Sequence, residues 1–195
     1  MTFSTIHPSR TRRGFTLVEV MIAASIGTIV LAGVMSAFLM LTRSGVSAAN
    51  YSEMEAQVRR ALEQFSLDVR MASAITWTSN RSITLTVPDN YTDTNNQVTY
   101  YYDSATIGPT AQSFCLKTVN PDTGAVVTQR RLVRNVSTFF FSGFNRLNVA
   151  TTSNIEIKRV QITMTVSTRT TGITTAATTD SIMSASYILR NKPTS

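Results

Sequence analysis

The chain has 195 residues, with 18 Lys and Arg against 11 Asp and Glu, a formal net charge of +7, one histidine and one cysteine. A single cysteine rules out an intramolecular disulfide, and one cysteine with one histidine rules out a Cys/His zinc cluster. Roughly 150 residues follow an apolar N-terminal segment, enough for one small domain with a real core.

The first element is the apolar run 15–41, preceded by Arg10, Arg12, Arg13 and Gly14 and holding one charge, Glu19. As a helix it is roughly 40 Å long, enough to cross a bilayer. The arginines in front of it orient it with its C-terminal end away from the cytoplasm. A secretory signal peptide would place a small-residue cleavage site after the apolar run; here the sharp polar-to-apolar boundary lies before it. A plain membrane anchor explains the length but not Glu19, since a carboxylate in a membrane-length segment is costly and marks function. Ala23, Gly27, Gly33 and Ala37 fall at small-xxx-small spacings, as do Ala32 and Ser36. That pattern lets helices approach closely, and it is also ordinary membrane-helix composition; both readings stand.

Thr42, Arg43, Ser44 and Gly45 mark a bilayer exit, with Gly45 a local weakness in a helix. Beyond it Met54, Val58, Leu62, Phe65, Val69 and Ala72 recur every three or four residues, one apolar stripe. The reading is one nearly continuous helix from 15 to about 74, with no proline inside it.

After Thr76 the period changes to two. Strands are expected at 82–87, 98–102, 113–119, 126–132, 136–141, 155–167 and 181–189. The run Asn120-Pro121-Asp122-Thr123-Gly124 is a hairpin turn, in which proline fixes one φ and glycine takes a positive one. Loops are expected at 88–97, 145–154 and 168–180. Cys115, between Phe114 and Leu116, reads as a small buried hydrophobe. The fold class is α+β, a long N-terminal helix packed on an antiparallel β-sheet.

The run Arg-Arg-Gly-Phe-Thr-Leu-Val-Glu at 12–19, followed by the long apolar segment, resembles the class III signal of type IV prepilins and type II secretion pseudopilins. The resemblance implies cleavage between Gly14 and Phe15 by a membrane aspartyl prepilin peptidase, and N-methylation of Phe15 by the same enzyme. It assigns Glu19 an assembly role, in which the carboxylate of one subunit meets the Phe15 amine of its neighbour. In low dielectric that attraction offsets part of the cost of burying both charges. Gly14 has no side chain to hold a protease away from the backbone. Loss of 1–14 removes three arginines, His7 and no acid, so the formal net charge falls from +7 to +4.

The expected organisation is therefore a leader over 1–14, a transmembrane and filament-core helix over 15–41, an amphipathic helix over 42–76 and a β-rich domain over 77–195. The missing helix proline departs from many major pilins and fits a minor pilin or pseudopilin better. The stretches 58–72, 98–102, 130–136 and 159–163 resemble, in order, those of the PilW and pseudopilin J group.

That likeness implies a minor subunit at the filament tip that primes assembly. Its partners would be other minor pilins or pseudopilins, the major subunit, the prepilin peptidase and the inner-membrane assembly platform. The place would be the inner membrane first, then a periplasmic or surface filament. A type II secretion minor pseudopilin is the alternative within the family.

No enzyme or cofactor is expected. With His7 gone, neither Ser-His nor Cys-His catalysis is open to the mature chain. The run 89–95 offers oxygen ligands at short spacing but lacks the glycine and terminal glutamate of an EF-hand, so it reads as a polar loop. A second alternative is a DNA-binding or adhesive minor pilin. Arg130, Arg131, Arg134, Arg146, Lys158 and Arg159 would form the basic patch for DNA, interleaved with Phe139, Phe140, Phe141 and Phe144. Burial of the phenylalanines in the sheet is the stronger reading.

Overall fold

A computed structural model describes residues 14–88, 95–120, 123–171 and 176–192. A single helix, α1 (Leu17–Met71), is followed by eight strands. These are β1 (Ala74–Ser79), β2 (Ser82–Pro88), β3 (Asn95–Asp103), β4 (Ser113–Val119), β5 (Val126–Val133), β6 (Val136–Phe144), β7 (Arg159–Thr171) and β8 (Ala176–Ile188). The chain divides into two compact units, Met1–Gly45 and Val46–Ser195.

In the first unit every apolar side chain of α1 from Leu17 to Leu41 that is large enough to anchor a core is exposed. Ser25, Thr28 and Thr42 turn their hydroxyls back onto the carbonyls of Met21, Ala24 and Phe38, at 2.8, 2.8 and 2.9 Å. That turns these three hydroxyls onto the helix's own backbone and leaves a largely apolar outer surface.

In the second unit α1 buries one stripe: Met54, Val58, Ala61, Phe65 and Val69. Phe65 is the wedge. Its ring lies 4.9 Å from Tyr100 on β3, 5.8 Å from Phe141 on β6 and 5.6 Å from Tyr187 on β8. One helical side chain therefore touches both sheets; β2, β6 and β7 close the core largely with alternating inward residues, whereas β3 and β4 bury the consecutive runs 98–100 and 113–116. Ile83, Leu85, Phe114, Val160 and Ile162 have no exposed surface.

The helix stops earlier than periodicity predicts. Ala72 N–H still bonds to the Asp68 carbonyl at 2.8 Å, but Ser73 N–H goes to Thr86 O of β2 at 2.9 Å. The chain thus passes straight into β1, a strand the sequence reading placed inside the helix tail and the following linker. Ile75 is buried and Trp77 half-buried, so β1 alternates like its neighbours. Asn191 covers the helix end, donating its side-chain amide to Met71 O at 3.1 Å.

The expected single sheet is two antiparallel meanders, β1-β2-β3-β4-β5 and β6-β7-β8. The break falls at Asn135, whose φ of 54° is left-handed. Its neighbour Val136 donates its N–H to Gln112 O at 2.9 Å, while Ser167 N–H bonds to Asn135 O at 2.9 Å. The turn that could have paired β5 with β6 instead starts a new sheet.

Most strand positions agree with the alternation. Five strand ends differ by three residues or more: β3 begins at Asn95 rather than 98, β6 runs to Phe144 rather than 141, β7 begins at Arg159 rather than 155, and β7 and β8 extend through much of the expected loop 168–180. Ile157 is fully buried from a loop, not from a strand. Gly124 has the positive φ, 67°, that the hairpin reading requires; Pro121 and Asp122 lie outside the described residues.

Candidate assembly site at the start of the helix

Gly14, Phe15 and Thr16 lie outside any regular element, and the chain is helical from Leu17. Among the described residues nothing stands within 4 Å of the position a Gly14 side chain would occupy, and Phe15 is 88% exposed. The helix start is held by a reciprocal cap. Thr16 donates its backbone N–H to Glu19 Oε2 at 2.9 Å and its hydroxyl to the same oxygen at 3.0 Å. Glu19 N–H in turn reaches Thr16 Oγ1 at 3.3 Å. Thr16 is thus the N-cap and Glu19 the third helical residue, the geometry of a capping box.

The cap has two consequences. It satisfies backbone donors that an apolar environment would leave bare, and it puts a negative charge at the positive end of the helix dipole. It also holds the Glu19 carboxylate within one turn of Phe15. Thr16 is a residue that the sequence reading passed over. The Thr-x-x-Glu spacing in front of an apolar run was the available signal.

Residues 9–35 match the family described as "Prokaryotic N-terminal methylation motif". The match supports the prepilin and pseudopilin type for this chain, a structural rather than enzymatic class. It holds Gly14, Phe15, Thr16 and Glu19 and stops within the apolar helix, before the globular unit begins. No curated protein matches the chain. The helix α1 is the one element among the described residues long and apolar enough to cross a membrane. With the motif, that supports membrane anchoring.

Other expected features are dispersed. Cys115 is buried, and burial pushes its thiol up to about 11, so it is a packing residue in this chain. The oxygen-rich run 89–94 lies outside the described residues, as do Arg10, Arg12, Arg13 and His7.

The arginines of the imagined patch do not converge. Arg130 and Arg131 are on β5, and Arg134 precedes β6. Lys158 and Arg159 stand at the opposite end of β6, where Arg159 pairs with Phe144 and lies over its ring at 4.2 Å. Nine strand residues, about 30 Å, separate those ends. Phe139 and Phe141 are buried and Phe140 is 43% exposed, so one of the three consecutive rings faces solvent.

A polar pair sits between α1 and β3. Tyr100 donates its hydroxyl to Asp68 Oδ2 at 2.5 Å, and the Gln64 amide reaches both Asp68 oxygens at 3.3 Å. Burial raises the Asp68 carboxyl above its ordinary value, against the lowering effects of Tyr100, Gln64 and the Arg130 charge. Burial and the Asp68 charge also push the Tyr100 phenol far up, so Tyr100 is the fixed donor of the pair.

Proposed function

We propose that this chain is a minor pilin, a structural subunit of a type IV pilus cut between Gly14 and Phe15, methylated at Phe15 and used to prime or cap filament assembly. The observation that carries the reading is the capped helix start. Thr16 and Glu19 close the first turn directly after Gly14, and they open a helix whose apolar surface to Leu41 has no partner among the described residues. Such a surface needs lipid or other helices around it. The chain leaves the assembly platform as part of a bundle of such helices, with Glu19 facing the Phe15 amine of a neighbour. The leader over 1–14, membrane segment over 15–41, helical stem over 42–76 and β-rich domain over 77–195 then have separate tasks: orientation, anchoring and core packing, connection, and contact with other subunits. An unbroken α1 without proline supports the minor rather than the major role, and the likeness of the downstream stretches to the PilW and pseudopilin J group supports the same subgroup.

The test is a deletion strain complemented with intact, Gly14→Val or Glu19→Ala genes. The major pilin in the sheared surface fraction is measured, along with the N-terminal mass of the subunit. The expected result is a mature N-terminus at Phe15 carrying one methyl group. Surface pilin is restored by the intact gene alone. The Gly14→Val chain stays full-length, and Glu19→Ala enters the membrane but not the filament. A mature terminus anywhere else sinks the processing site. Normal surface pilin in the deletion strain removes the priming role and moves the protein to a secretion pseudopilus.

A further inference from the structure

A groove of about 630 Å³ runs between the outer side of β6 and the β1–β2 turn. Its volume lies in the range of small-molecule sites. It is built wholly within the globular unit, from parts the assembly role does not use.

One cation stands in it. Arg81 has no acidic or hydrogen-bonding partner for its guanidinium among the described residues; it lies instead over the Tyr102 ring, 5.8 Å from the centroid. Tyr102 is itself locked. Its hydroxyl bonds to Val136 O at 2.9 Å, and its ring stacks on Phe139 at 5.6 Å and 18°. Phe139 stacks on Phe114 at 4.9 Å, and Phe114 on Tyr100 at 5.8 Å. A column of four rings therefore runs from the core to the groove and ends under a guanidinium. A guanidinium placed over a ring keeps its N–H donors, and with no hydrogen-bonding partner among the described residues those of Arg81 are open to a carboxylate.

Beside it, Phe140 is the one ring of its run that stays exposed, and it lines the groove. Gln112 is held at φ 47°, a left-handed conformation unusual for a residue other than glycine or asparagine. Its backbone is tied at both ends, N–H to Ala105 O at 3.1 Å and O to Val136 N–H at 2.9 Å. Its amide lines the groove without a hydrogen bond among the described residues, and so do the hydroxyls of Ser104 and Ser142. Such a conformation persists where the surrounding fold holds it, and here two backbone hydrogen bonds do so. Among the described residues no acidic side chain lines the groove.

We infer that this groove binds an acidic sugar unit, a hexuronate within a glycan. An aromatic face takes the apolar side of a pyranose ring, free amide and hydroxyl groups meet its hydroxyls, and a pre-set guanidinium pairs with its carboxylate in bidentate fashion. A single-stranded nucleic acid fits worse. It needs a continuous basic track and several stacking rings, and here one cation and one exposed ring line the groove.

The test is calorimetric titration of the full chain in detergent micelles with four probes: trigalacturonate, trimannuronate, neutral maltotriose and a ten-residue oligo-dT. At least one uronate trimer should bind tenfold or more tightly than maltotriose. Arg81→Gln should abolish that ratio, and Phe140→Ala should weaken the uronate at least fivefold. Both variants should keep a single cooperative melt, Arg81→Gln at the wild-type midpoint because Arg81 is exposed and Phe140→Ala slightly below it because its ring is partly covered. The two uronates separate glycans of different origin that share this chemistry. No binding of either uronate at millimolar concentration overturns the inference, as do variants that bind like wild type. Tighter, Arg81-dependent binding of oligo-dT overturns it in favour of a nucleic-acid strand.

Discussion

The two parts of α1 are one helix under opposite demands. Up to Leu41 the large apolar residues go all the way round and all are exposed; from Met54 onward Met54, Val58, Ala61, Phe65 and Val69 make one buried stripe, flanked by the half-buried Leu62, while Leu67 and Met71 stay exposed. The difference shows what a hydrophobic pattern encodes. A stripe specifies a partner within the chain, whereas a continuous apolar surface specifies a partner outside it. Glu19 sharpens the contrast, because the only charge in the first part is spent on capping and on the helix end rather than on a solvated face.

The largest expected effect breaks the buried part. Phe65→Ala removes a fully buried ring that touches β3, β6 and β8, and should cost about 3–5 kcal/mol of globular stability. Denaturant titration of the full chain in detergent, followed by Trp77 fluorescence, reads this directly. Leu31→Ala in the exposed part should leave that transition where it was. Equal losses from the two substitutions would show that the two parts of the helix do not differ as described.

A smaller effect probes the polar pair on the buried side. The folded Asp68 carboxyl is raised above its unfolded value, so the protonated form is the one folding favours. Its contribution is full below the ordinary carboxylate value and is lost as pH rises through the raised one. Asp68→Asn should therefore flatten the decline in stability across that rise. Tyr100→Phe, which strips the carboxylate of its closest donor, should steepen it. Melting midpoints of the three chains across mildly acidic to neutral pH decide the sign. A wild-type midpoint that climbs through this window, with Asp68→Asn removing the climb, would reverse it.

The smallest effect falls on the exposed part. Thr16→Ala removes the cap and should cost about 1 kcal/mol, confined to the first turn. Hydrogen exchange in micelles should speed up at residues 17–20 and stay unchanged in the globular unit. Faster exchange across the whole helix would mean that the cap governs more than its own turn.

Much of the fold could be read from periodicity, because alternation and the three-to-four repeat report which face is buried. Val160, Ile162, Met164 and Val166 are buried at every second position, and Val58, Phe65 and Val69 at helical spacing. The strand β1 escaped because six residues, Ala74–Ser79, are too short to separate from a helix tail by pattern alone. The ends of β7 and β8 escaped because a threonine-rich run reads equally as loop or strand. At the helix start, Gly14, Phe15 and Glu19 stand out by residue type and spacing; Thr16 carries its own signal in the Thr-x-x-Glu spacing, and its hydrogen bonds define its role as the cap.

By itself the chain determined what is local: a membrane-length apolar helix behind three arginines, a methylation motif, an amphipathic stem and a β-rich remainder. Each depends on residues close together in sequence, where side-chain period and backbone preference act directly. Tertiary structure alone decided that the strands divide into two sheets at Asn135, that Phe65 wedges both, and that Arg81, Gln112 and Phe140 meet around one groove. Those residues are far apart in the chain. Their meeting depends on hydrogen bonds such as Val136 N–H to Gln112 O and Phe141 N–H to Asn80 O, which no spacing in the sequence announces.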